Sequence, residues 1–175
     1  GHLFGPSSLE TEDNLLRLDR TLADLFATVD EHVGLENTLI VLSADHGSPE
    51  APGYLNSFGI DARYVTPEKW EQEPAITALK KQFGIGKELI EAYHHPYVYL
   101  NREVIQENGL DQGAVEKAVA AEIVRFDGVA LAVSSTALRE GNFPDVPLIQ
   151  SVLRNYNPAR SGDVFVVHDP HCFIN

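Results

Sequence analysis

Asp45-His46-Gly47-Ser48 follows directly on the apolar run Thr38-Leu39-Ile40-Val41-Leu42, so a hard oxygen ligand and an imidazole stand at the carboxyl end of a predicted strand. Open α/β sheets build their active sites at that end of their strands. Neighbouring side chains in a regular strand point to opposite faces, but as the chain leaves the strand both groups can turn toward one ion. Gly47, with no Cβ, eases that exit. One carboxylate with histidine nitrogens suits zinc better than magnesium, which prefers oxygen ligands. The same tetrad also reads as an aspartate capping a turn followed by a solvated loop histidine, and a short motif alone does not separate the two.

Other chemistry-bearing residues have simpler readings. In His94-His95-Pro96 the residue before proline is pushed out of helical geometry, which predicts a solvated helix end, and adjacent side chains diverge rather than share an ion. His168, His171 and Cys172 hint at a metal cluster, but one thiol with nearby histidines falls short of the four ligands of a structural zinc site. Ser43 reads as a strand residue, Ser48 as a loop residue, and Ser7-Ser8 as a pair that caps a helix.

The elements that must position these groups follow from periodicity. Leu15, Leu18, Leu22, Leu25, Phe26, Val29 and Val33 recur at helical spacing, predicting an amphipathic helix over 9–33 that Gly34 stops, with a strand over 37–43. Residues 50–75 carry no sustained period and read as a surface segment turning at Pro67, with short helices expected over 67–82 and 86–93. From Pro96 the expected order is a strand over 97–101, a short helix near 102–107 and a helix over 111–126. A strand over 128–134, a helix over 147–156 and a strand over 163–168 follow. Asp111 is expected to cap the second of these helices and Val115, Val119, Ile123 and Val124 to form its buried stripe. That βαβ…αβ order is that of a ferredoxin-like lobe.

The order Gly1-His2-Leu3-Phe4-Gly5-Pro6-Ser7-Ser8, long helix, strand, Ala44-Asp45-His46-Gly47 resembles the alkaline phosphatase superfamily, in particular its type I phosphodiesterase/nucleotide pyrophosphatase branch. There an Asp-x-x-x-His element supplies two ligands to one zinc, a helix follows, and a strand ending in Asp-His supplies two ligands to the second zinc. His2 matches the first histidine, and Asp45 and His46 match the second pair. The resemblance implies a first aspartate and a Thr or Ser nucleophile upstream of Gly1, and a late His-Gly segment beyond Asn175. His46-Gly47-Ser48-Pro49 looks like that late segment but fits the earlier pair by position.

The expectation is therefore an internal piece of a larger α/β enzyme. Residues 1–49 would be a fragment of the metal-binding core, a helix plus a strand of an alkaline-phosphatase-like α/β/α unit. Residues 50–95 would form a loop and short-helix connection, and residues 96–175 a ferredoxin-like α+β subdomain with a return strand. The resemblance implies two zinc ions, His2, Asp45 and His46 as metal ligands, a small phosphate ester as substrate and a periplasmic or secreted location. With at most three ligands divided between two ions, this stretch by itself is expected to be inactive. Two further classes stay open: another hydrolase of the superfamily, such as a sulfatase or phosphonate hydrolase, and a non-catalytic ferredoxin-like binding or dimerisation module.

Composition narrows the partners. With 13 basic and 26 acidic residues the formal net charge is −13, a surface that repels nucleic-acid backbones, whereas a small phosphate ester can be handled by an acidic protein when metal ions supply local positive charge. No apolar run approaches the ~20 residues of a membrane-spanning helix. The one cysteine excludes an internal disulfide.

Overall fold

The structure, a computed structural model, describes residues 3–174. The described residues fall into two compact units, one up to Ala62 and one from Arg63 onward.

The first unit is built on helix α1, Leu9–His32. Ser8 caps it, its hydroxyl accepting from the Thr11 amide at 3.2 Å, and Glu10 and Glu12 in the first turn complement the helix dipole. Val33 closes it and Gly34 takes a positive φ of 86°, the stop expected from sequence. The apolar stripe is present at the predicted spacing, yet no residue of α1 is buried. The strand expected over 37–43 is not formed: Asn37 ends a 3₁₀ turn, Leu35–Asn37, and residues 38–44 lie in no helix or strand; Leu39 is 89% and Leu42 84% exposed. A strand exists through its ladder, and no described segment pairs with this one. Helix α2, Pro52–Ser57, follows, where the sequence suggested only a loop.

The second unit has a four-stranded sheet of β2 (Ile90–His94), β3 (Tyr97–Leu100), β4 (Val129–Ser134) and β5 (Val164–His168), in the order β2-β3-β5-β4 and antiparallel throughout. Because β3 and β4 both run antiparallel to β5 between them, they form the split β-α-β unit of ferredoxin-like folds. Its crossover contains α4, Arg102–Glu107, and α5, Gln112–Ile123. Strands β1 (Arg63–Val65) and β6 (Cys172–Ile174) make a separate parallel pair that the sequence did not signal.

Strand alternation explains the layers. Val98, Leu100, Val164 and Val166 face a core with Val115, Val119 and Ile123 of α5 and with Ile76 and Leu79 of α3, Pro74–Phe83. Tyr97, Val133 and Phe165 face the other way, onto Leu138 of α6 (Ser135–Glu140) and Ile149 and Val152 of α7 (Pro147–Asn155). The lobe thus has helices on both faces of its sheet. Within α5 the stripe differs from expectation at one position: Val124 lies at the C-cap and is 39% exposed, while Glu116 and Ala120 are buried.

Strand β2 corrects the expected helix over 86–93. Residues 90–94 pair with β3 from Ile90↔Leu100 to His94↔Tyr97, and those ladder bonds outweigh a weak local helical signal. His94-His95-Pro96 accordingly begins a hairpin turn rather than ending a helix. The helix expected over 67–82 is two pieces, a 3₁₀ turn at Pro67–Gln72 and then α3, because Pro74 cannot continue a preceding helix.

Candidate metal centre and the histidine cluster

Asp45 and His46 follow directly on residues 38–44, which lie in no helix or strand. Asp45 Oδ1 accepts from the His46 amide at 2.9 Å, so the carboxylate folds back over its own chain. His46 Nδ1 lies 2.7 Å from the Gly47 carbonyl oxygen, which can only accept; Nδ1 therefore carries the proton. That leaves Nε2 as the basic nitrogen, and it sits 3.4 Å from Asp45 Oδ2. Two neighbouring side chains thus bring an oxygen and a nitrogen close together.

Both groups are exposed, Asp45 at 86% and His46 at 52% of their side chains. His2, the third expected ligand, lies outside the described residues. Among the described residues no group of three or more His, Cys, Asp or Glu side chains is gathered closely enough to hold an ion. Of the nearby hydroxyls, Ser8 is the helix cap, Ser7 bonds to Glu50, and Ser43 Oγ donates to the Ala44 carbonyl at 3.2 Å.

The remaining histidines separate differently from their sequence order. His94 and His95 diverge: His94 packs edge-on to Tyr99, with ring centres 5.6 Å apart, while His95 joins Tyr93 and His168. The Tyr93 hydroxyl lies 3.0 Å from His95 Nδ1 and 2.9 Å from His168 Nε2, and His168 Nδ1 lies 3.0 Å from the Gly128 carbonyl oxygen. Trp70 stands behind them, 5.6 Å from Tyr93 and 6.2 Å from His168 between ring centres. Burial lowers the pKa of His95; it also lowers that of His168, against an opposing contribution from the Gly128 hydrogen bond. Burial raises the Tyr93 phenol well above its ordinary value. His171 and Cys172 do not join this group; Cys172 is a half-buried thiol on β6.

Gly128 is required where it stands. Its φ is 78°, and a Cβ there would come within 2.5 Å of Val65 Cγ1, so only glycine brings its carbonyl to His168. The sequence signal that could have found the cluster is strand alternation in 90–94, which puts Tyr93 opposite to His94.

Residues 1–175 match the sequence pattern of the family described as type I phosphodiesterase / nucleotide pyrophosphatase. The chain is 34% identical over 167 residues to the alkaline phosphatase PafA of Elizabethkingia meningoseptica, covering 95% of this chain and 30% of that protein. It is 30% identical over 169 residues to the alkaline phosphatase PhoV of Synechococcus elongatus, covering 97% and 30% respectively. A protein of Myroides odoratus named calcium-transporting ATPase is 32% identical over 178 residues, covering 99% and 31%. The crystal structure of PafA superimposes with a TM-score of 0.82 at 33% identity, over 98% of this chain and 32% of that one. The chain thus spans about a third of the length of the relatives it matches.

Proposed function

The chain belongs to the type I phosphodiesterase/nucleotide pyrophosphatase family, and on that premise we propose that it serves a metal-dependent hydrolase of small phosphate esters, with Asp45 and His46 as ligands of one ion. The observation that carries this reading is the 3.4 Å separation of Asp45 Oδ2 and His46 Nε2. It matches the ~3.3 Å edge of a tetrahedral shell with metal–ligand bonds of ~2.0–2.1 Å. The Nδ1–H of His46 held by the Gly47 carbonyl supports it further, because metal-binding histidines usually give their second nitrogen to such an acceptor. The donor set, one carboxylate with an imidazole, suits zinc.

In this reading two zinc ions serve the enzyme, His2 ligates the second, and a Thr or Ser outside these residues is the nucleophile. Divalent ions supply Lewis acidity that lowers the pKa of an oxygen nucleophile and offsets charge on the phosphoryl oxygens. The chain's own residues contribute by orientation: the Gly47 carbonyl fixes the His46 ring and the His46 amide fixes the Asp45 carboxylate. Residues 1–175 alone are inactive in this reading. A periplasmic or secreted location is part of this reading. Among the described residues no helix is long and apolar enough to cross a membrane.

The test is made in the full-length family protein. Asp45→Ala and His46→Ala should each remove about one metal ion per chain and lower turnover at least about a hundredfold. Undiminished zinc content and rate in both variants would refute the assignment. Parallel assays on a phosphomonoester, a phosphodiester and a sulfate ester decide the chemistry, and preferential turnover of the sulfate ester would replace the phosphatase reading with a sulfatase.

A further inference from the structure

The Tyr93 bridge has one consistent proton arrangement when both rings are neutral. The Gly128 carbonyl can only accept, so His168 Nδ1 donates to it and His168 Nε2 must accept. Tyr93 Oη–H donates to that nitrogen at 2.9 Å, and the Tyr93 oxygen accepts the Nδ1–H of His95 at 3.0 Å. Four groups from three places in the chain are satisfied in series: the β2–β3 turn, the end of β5 and the Gly128 turn before β4. The backbone continues the contact, with the Val166 amide donating to the Pro96 carbonyl at 2.8 Å.

A proton added to His168 Nε2 turns an acceptor into a donor. The Tyr93 hydroxyl hydrogen then loses that acceptor in a half-buried place walled by Trp70, and the series closes again only if His95 moves its proton from Nδ1 to Nε2 to accept in its turn; without that exchange a hydrogen bond is left unmade at a cost. Asp169 lies beside His168 and favours its cation, Glu68 of the 3₁₀ turn lies beside Tyr93, and His95 opposes a charge on His168. Burial outweighs the Asp169 attraction.

We propose that the His95–Tyr93–His168 bridge is a proton-operated clasp, holding the β2–β3 turn against the end of β5 while both imidazoles are neutral and releasing it when acid protonates His168. Because both folded-state pKa values lie below the ordinary ~6.5, the unfolded or released form takes up protons first as pH falls. The clasp is complete above about pH 6.5 and is lost as pH falls through the depressed folded values.

The full 175-residue chain tests this with its one tryptophan, Trp70, whose emission an imidazolium at 6.2 Å quenches. Emission should fall on acidification with a midpoint below about 6.5. Tyr93→Phe should raise that midpoint, since the neutral form of His168 loses its donor, and His168→Gln should abolish the transition. Protection of the Val166 amide from exchange should drop at least about tenfold across the same range while the Val119 amide in α5 keeps its own. Side-chain nitrogen NMR of the unsubstituted chain at pH 7.5 should find both rings protonated on Nδ1, a result that needs no variant to fold. A proton on Nε2 of His168, an unmoved midpoint in Tyr93→Phe, or joint loss of protection at Val166 and Val119 would each overturn the clasp.

Discussion

Asp163, at the start of β5 and only 1% exposed, holds Arg102 at the start of α4 with Oδ1 2.7 Å from Nη2, while its Oδ2 accepts from the Leu100 amide at 2.8 Å. One carboxylate thereby fixes the end of β3, the entry into the crossover and the strand that lies between β3 and β4. The partners differ in solvation, since the Arg102 side chain is 68% exposed. The guanidinium can return to water when its partner is removed, but the Leu100 amide cannot.

That asymmetry sets the first expectation. Asp163→Ala should destabilise the lobe by about 3 kcal/mol, because it strands a buried amide and breaks a partly buried charged pair. Arg102→Ala should cost less, since the Leu100 amide still donates to the carboxylate and water can replace a guanidinium that is itself largely exposed. Urea unfolding of both variants measures this, and equal losses would contradict it.

Glu71 performs a similar task at the start of β2. Its carboxylate accepts from the amides of Leu89 at 3.2 Å and Ile90 at 2.7 Å, and it pairs with Lys80 at 2.5 Å. Glu71→Ala should cost about 2–3 kcal/mol and Lys80→Ala about 1 kcal/mol, with Glu71→Gln between them because the amide oxygen still accepts. Thermal or urea unfolding that ranks Lys80→Ala as the most damaging would show that the ion pair, rather than the amide bonds, matters there.

The segment 38–44 should be the first to yield to protease. Leu39, Val41 and Leu42 are 89%, 78% and 84% exposed and lack ladder bonds to any described strand. Limited digestion of the 175-residue chain should cut between Leu39 and Ser48 and leave residues 63–174 intact, shifting the weak point from the 50–75 stretch that lack of periodicity suggests to an apolar one. First cuts inside 112–134 would argue against a compact lobe. In a full-length family protein the same bonds should resist cleavage, because exposed apolar runs of this kind ordinarily find a partner.

What the sequence determined by itself was local. The helical repeat from Leu15 to Val33, Ser8 before it and Gly34 after it specify α1 without outside help, since caps and dihedral preferences act within a few residues. The alternating residues of β3, β4 and β5 and the buried positions of α5 at Val115, Val119 and Ile123 were legible in the same way. So was the turn of the Asp45 and His46 side chains toward each other, a geometry that depends on adjacent residues and the Gly47 carbonyl.

Tertiary structure decided whatever depends on a distant partner. Residues 90–94 are a strand because β3 offers a ladder, and residues 38–44, with stronger strand character, have none among the described residues. The α1 stripe is a clear pattern that buries nothing, because amphipathicity states which face can be covered and not what covers it. His95 and His168 come together through Tyr93 across a separation of 75 residues between Tyr93 and His168. A pattern within a few residues cannot encode that meeting; it arises from the hairpin turn, the length of β5 and a glycine that alone fits beneath Val65.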